Sequence, residues 1–219
     1  MDNLKGLNFN DEIRIGFHCI KLGIIEFNKF GPTTIELFIP LLLLSTGFER
    51  LLKILYCFDY YNMNGNFPTK KELKNKGHGL VTLTEHFLNV CEKTDIYNKA
   101  SARINDIKFL KENTDFKKLL TILSNFAENQ NRYYNLDCIT GQNNIYSTDS
   151  PERLISKFLN EVIQRKQDIV EFALKPPYKT QIIYETFNPY IIELLQRFLR
   201  ILCYGFTQGA FGNLARQYS

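Results

Sequence analysis

Two short stretches combine residue types that can bind phosphate or move protons: Lys76-Gly77-His78-Gly79-Leu80-Val81-Thr82-Leu83 and Asn131-Arg132-Tyr133-Tyr134-Asn135-Leu136-Asp137. In the first, His78 stands between two glycines at the start of an apolar-periodic segment. A helix dipole opposes positive charge at that end, so a neutral imidazole with one donor and one acceptor is expected there. Such a group serves either as a contact to phosphate, base or partner, or as a capping or inter-helix hydrogen bond that fixes the geometry of a bundle. In the second stretch Arg132 carries a planar fork suited to phosphate, and Tyr133 and Tyr134 can stack or donate. The structural alternative is equally physical. A cation near a helix C-terminus complements the dipole, tyrosines cover bundle ends, and Asp137 can neutralise Arg132. Lys70, Lys71, Lys74 and Lys76 form a basic cluster beside His78. The candidate nucleic-acid- or nucleotide-binding residues are therefore Lys70, Lys71, Lys74, Lys76, His78, Arg132 and Tyr133. Were the chain a ribonuclease, Arg132 and His78 would be its catalytic pair.

The remaining polar groups point to less. His86 follows His78 by eight residues, about two helical turns, so both imidazoles can lie near one helix side. Without a carboxylate at ligand spacing they make a poor metal site, and neither a metal nor a cofactor is expected. His18 reads as a core histidine of the first helix, and Glu49-Arg50 with Lys53 reads first as a solvated face and second as a polar seam between subunits. Gly205, Gly209 and Gly212 are not a phosphate loop, because no strand precedes them and no helix with Lys-Ser/Thr follows. No nucleophilic triad or paired-acid motif is visible.

The chain has 219 residues, 44% of them apolar and 23% charged, with a net charge of +4. That length can bury a substantial core, and the mild basicity permits nucleic-acid contact without a concentrated footprint. The 18 Phe and 12 Tyr read first as thick helix–helix packing and second as base-stacking platforms. Cys19, Cys57, Cys91, Cys138 and Cys203 are odd in number and widely spaced, which fits free thiols in a reducing cytosol. The N-terminal residues lack the apolar stretch of a signal peptide. The most apolar run, Leu37 to Phe48, is uncharged for 12 residues, short of the about 20 that a membrane span needs. It reads as a buried helix, and a cytoplasmic chain without membrane contact is expected.

Apolar residues recur at three and four throughout, with no strand-like alternation. Asn10 or Asp11 is positioned to cap a first helix with Ile13, Phe17, Ile20, Ile24 and Phe27 on one face, ended by Gly31-Pro32. A second runs from Thr33 or Thr34 to about Tyr61, with Pro40 forcing a kink or a later start. A short helical turn at Lys70 to Lys74 precedes a third helix after Gly77, carrying Leu80, Leu83, Phe87, Leu88 and Cys91. A fourth begins near Ser101, is broken at Asn113-Thr114, and continues from an Asp115 cap. Thr140 to Asp149 reads as the longest loop. Ser150-Pro151-Glu152 opens a helix holding Leu154, Phe158, Leu159, Val162, Ile169 and Phe172, and Pro176-Pro177 ends it. Asn188-Pro189 reads as the start of the last helix, with Ile191, Ile192, Leu195, Phe198, Leu199 and Leu202 inward. The fold class is all-α: one domain over residues 1–219, an up-and-down bundle with an additional C-terminal helix over about 188–206.

The order of these motifs resembles the HEPN superfamily, a helical fold named for nucleotide binding. Phe48-Glu49-Arg50-Leu51-Leu52-Lys53 is similar to its E-x-x-L-K run, Lys76 to Leu83 to its K-x-H-D-L-x-x-L helix start, and Asn131-Arg132-Tyr133 to its x-R-Y helix end. The resemblance spans about residues 10–175 and leaves the last helix outside. It implies a HEPN-like bundle that forms a homodimer. HEPN ribonucleases carry Arg, four to six residues, then His, and cleave RNA across a dimer without metal. Here Asp137, Cys138 and Ile139 stand at that spacing from Arg132, and Arg14 and His18 are too close together. An aspartate replaces imidazole as acid and base near neutral pH only if its pKa is strongly raised. The resemblance thus implies a non-catalytic module of a toxin–antitoxin or phage-defence system that binds RNA or a nucleotide, or a nucleotidyltransferase or other defence protein. A divergent endoribonuclease, with His78 or His86 brought to Arg132 by the fold, is the alternative.

Overall fold

The computed structural model describes residues 3–33, 36–128, 133–140 and 150–217, and among them every regular element is a helix. In chain order these are α1 (Asn3–Phe27), α2 (Phe38–Asn64), α3 (Lys70–Asn75), α4 (Leu80–Lys93), α5 (Asp95–Asn98), α6 (Ser101–Glu112), α7 (Thr114–Ala127), α8 (Tyr134–Ile139), α9 (Pro151–Gln164), α10 (Gln167–Leu174), α11 (Gln181–Gln208) and α12 (Asn213–Arg216). The result is an all-α, up-and-down helical bundle. No helix among the described residues is long and apolar enough to cross a membrane.

α1 and α2 form a close antiparallel pair because glycines stand where they cross. A Cβ on Gly47 would meet the Gly16 carbonyl oxygen at 2.7 Å and Ile20 Cγ1 at 2.6 Å. Ile13, Ile20 and Phe27 of α1 are buried, and Phe17 and Ile24 pack beside them. The helix starts well before Asn10 and Asp11, which lie exposed in its interior rather than at a cap. His18, too, departs from expectation: it lies exposed on the outer face of α1. α2 starts later than Thr33 or Thr34, which places Pro40 in its first turn, where a missing N–H costs no helical bond. It closes on Gly65, whose positive φ of 74° lets its N–H reach the Tyr61 carbonyl at 2.8 Å.

Aromatic side chains join the layers. Phe198 of α11 stacks on Phe48 of α2 at 5.0 Å and meets Phe116 of α7 and Phe87 of α4 edge-on at 5.3 and 6.1 Å. Each is almost fully buried, and burial of such a side chain is worth about 2 kcal/mol. α11 therefore runs through the centre of the apolar cluster. Gly205 lets it come close to its neighbours, since a Cβ there would meet the Tyr97 hydroxyl at 2.5 Å. That hydroxyl donates to the Ile201 carbonyl at 2.7 Å.

Three boundaries differ from expectation. Asn113, not Asp115, caps α7, accepting from the Phe116 N–H at 2.7 Å. Asp115 is buried and accepts from Arg165 at 3.0 and 2.8 Å and from the Tyr190 hydroxyl at 2.7 Å. The helix opened by Ser150 breaks at Arg165-Lys166 into α9 and α10, which leaves Phe172 exposed. α11 starts at Gln181 and carries Pro189 in its interior. Asn188 does not cap it. Its side-chain amide donates instead to the Phe30 and Asn28 carbonyls, at 2.7 and 3.3 Å, tying the end of α1 to α11.

Candidate functional site

The outer face of α2 carries Glu49, Lys53, Tyr56 and Tyr60, spaced four, three and four residues apart and hence on one side of the helix. The chain from Thr69 to Gly79 lies along this face as a strap running opposite to α2. At its start, Thr69 and Glu72 form a capping box for α3: the Glu72 N–H donates to Thr69 Oγ1 at 3.2 Å, and the Thr69 N–H to Glu72 Oε2 at 2.7 Å. Glu72 also accepts from the Tyr60 hydroxyl at 2.7 Å. The Thr69 backbone bond above all, then the Thr69 and Tyr60 hydroxyls, holds the Glu72 carboxyl below its ordinary range. One turn down α2, Lys76 Nζ sits 4.6 Å above the Tyr56 ring.

The strap ends at Glu49. His78 Nδ1 lies 2.8 Å from Glu49 Oε1, and Lys53 Nζ lies 2.8 Å from the same oxygen. A carboxylate oxygen only accepts, so the proton of a neutral His78 belongs on Nδ1, and Nε2 is left as the acceptor. Lys53 Nζ, 3.5 Å from Nδ1, is then a neighbouring charge rather than a donor to the ring. Glu49 and Lys53 are mostly buried while the His78 side chain is 57% exposed. The face is thus a held seam and not the solvated surface expected for Glu49 and Lys53. Arg50 points the other way, to Glu12 of α1 at 2.5 Å. α4 then returns in the direction of α2, and His86 Nε2 meets the mostly buried Asp59 at 3.0 Å. Both imidazoles face α2, each through its own carboxylate.

The start of α4 has no side-chain cap. The end of α7 covers it instead. Ser124 Oγ stands 3.5 Å from the Val81 N–H and donates to Glu128 Oε1 at 3.0 Å, and a Cβ on Gly79 would meet that same Glu128 oxygen at 2.8 Å. A carboxylate already occupies the place where a helix N-terminus would otherwise attract an anion.

Lys70, Lys71 and Lys74 project from α3 into solvent, on the same strap as Lys76 and His78. The fold therefore gathers five of the predicted residues. Arg132 lies outside the described residues, as do the side chains of Asp137 and Cys138; the described chain reaches Glu128 beside Gly79 and resumes at Tyr133. Tyr133 is exposed, and no described contact links it to the seam. Among the described cysteines, Cys57 and Cys91 are buried and Cys19 and Cys203 partly so, all with free thiols; burial pushes Cys57 up to about 11. No group of three metal-ligating side chains occurs among the described residues. A cavity of about 770 Å³ lies on the α1 side of α2, lined by Phe9, Cys57, Tyr61 and Phe67, and holds none of the predicted site residues. Sequence reasoning missed Tyr56, Asp59, Tyr60, Glu72 and Glu128. The polar spacing along α2 was the one signal for the first and third of these.

No protein-family model, curated protein or solved structure matches the chain.

Proposed function

We propose that the chain is a HEPN-like module, without catalysis of its own, that binds RNA or a nucleotide through the strap on α2 and works as a homodimer in a toxin–antitoxin or phage-defence system. The observation that carries this reading is the charge and anchoring of the strap. Residues 69–79 hold four lysines and one carboxylate, Glu72, which is committed to Thr69 and Tyr60. Three of the lysines reach solvent from α3, and the strap that carries it is tied to α2 at Tyr60 by Glu72, at Tyr56 by Lys76 and at Glu49 by His78. A basic ridge anchored in this way suits a phosphate backbone, while the Glu128 carboxylate already occupies the start of α4.

A second reading is favoured by His78 itself. Glu49 fixes one ring nitrogen, which leaves the other free to move a proton, as a metal-free endoribonuclease paired with Arg132 requires. One experiment addresses both. Fluorescence anisotropy with labelled single-stranded RNA should show binding that weakens with salt, and Lys70→Gln/Lys71→Gln/Lys74→Gln should flatten the log–log salt slope by about 2. The RNA should remain intact in chelator. Absence of binding, or an unchanged slope, ends the first reading; cleavage lost in both His78→Ala and Arg132→Ala establishes the second.

A further inference from the structure

We propose that a second site lies in the groove between α6 and α11, remote in sequence from the α2 strap, and takes an organic phosphomonoester: an oxoanion held by Arg200 and Arg103 with its apolar body on Leu199, Cys203 and Tyr204. The cavity measures about 520 Å³ and is completed by Gln196 and Thr207. At its side the nearly buried Asp106 is ringed by three guanidinium groups. One carboxylate cannot neutralise three cations. Glu193 contributes a second negative charge, and the cluster still retains an excess of one positive charge.

The three arginines are not equivalent. Arg197 is the most engaged of the three: it bonds Glu193 at 2.8 Å, approaches Asp106 at 3.4 Å and lies 4.3 Å above the Phe109 ring. Arg103 makes one short bond, to Asp106 at 2.9 Å, and keeps its other donors. Arg200 approaches Asp106 and Glu193 only at 3.5 Å each, longer than a well-formed N–H···O bond, and its side chain is 39% exposed. Two guanidinium forks with spare donors thus line one cavity, the arrangement that favours a planar, multidentate oxoanion contact. The cavity floor is apolar, so a ligand with a hydrocarbon or ring body fills it better than a free inorganic anion.

Cys203 in the floor gives a local readout. It is partly exposed, and burial raises its thiol pKa, so its alkylation is slow and measurable at mildly alkaline pH. The rate at Cys203, followed by peptide mass spectrometry in the full chain, is compared with phenyl phosphate, inorganic phosphate or phenol. Phenyl phosphate should slow alkylation at least about tenfold at saturation, inorganic phosphate should compete with it, and phenol should do little. Arg200→Gln should remove the protection with an unchanged melting temperature. Arg197→Gln should lower the melting temperature, because it removes an engaged group. No protection by phenyl phosphate, equal protection by phenol, or protection that persists in Arg200→Gln overturns the proposal. RNA binding at the α2 strap should be unchanged in Arg200→Gln, so failure here is distinguishable from failure there.

Discussion

Asp115 and Glu49 each gather one cation and one ring-bearing side chain, and their surroundings give them opposite roles. Asp115, buried in the first turn of α7, binds Arg165 of the α9–α10 junction and the hydroxyl of Tyr190 on α11. Burial first, and then the bond to Asp115, raises the Tyr190 pKa, so the phenol stays a neutral donor. Glu49 binds Lys53 of its own helix and His78 of the strap, and there the ring is open to solvent. A buried carboxylate whose partners come from two distant segments fixes the fold. A carboxylate that orients an exposed imidazole leaves that ring with a free nitrogen and an approach from water. The same chemistry is a structural node in one place and a presented group in the other.

The largest effect should follow removal of the node. Asp115→Ala leaves the Tyr190 hydroxyl without its acceptor and takes a negative charge from a helix N-terminus. Arg165 is half exposed and regains water, which limits the loss. Thermal or urea unfolding should show destabilisation of about 2–3 kcal/mol. A loss below about 1 kcal/mol would place Asp115 in the same class as Glu49.

Glu49→Gln should change much less, within about 1 kcal/mol of stability, since a Gln amide oxygen can still accept a hydrogen bond there and His78 is open to water. Its signature lies in the ring it orients. Nitrogen NMR of the imidazoles at a pH where His78 is neutral should report the Nδ1–H tautomer in the native chain and a shift towards Nε2–H in Glu49→Gln. Identical tautomers in both would mean that Glu49 does not orient His78.

The sequence shows why the two differ in legibility. Periodicity at three and four is local, so α2, α4, α7 and the Ser150 start of α9 could be read from it. The Lys70 to His78 cluster could too, because its members are neighbours in the chain. The start of α11 could not. Asn188-Pro189 has the form of a cap and first turn, yet the Asn188 amide is drawn to the Asn28 and Phe30 carbonyls, and the helix forms ahead of it. A tertiary contact overrides a local signal there, as it does at Asp115, whose partners stand 50 and 75 residues away. The seam divides the same way. Glu49, Lys53, Tyr56 and Tyr60 could be placed on one side of α2 by spacing alone, but pairing Glu49 with His78 across 29 residues required the strap to reverse direction along the helix. His18 shows the converse: an apolar-flanked histidine that the fold leaves facing water.

The claim that the strap on α2 is the presented, ligand-facing surface is tested most directly by where RNA touches the chain. Photocrosslinking of 4-thiouridine-bearing single-stranded RNA to the intact chain, followed by peptide mapping, should place crosslinks between Lys70 and Leu83. Crosslinks confined to other segments, or none at concentrations well above those of the anisotropy titration, would contradict it.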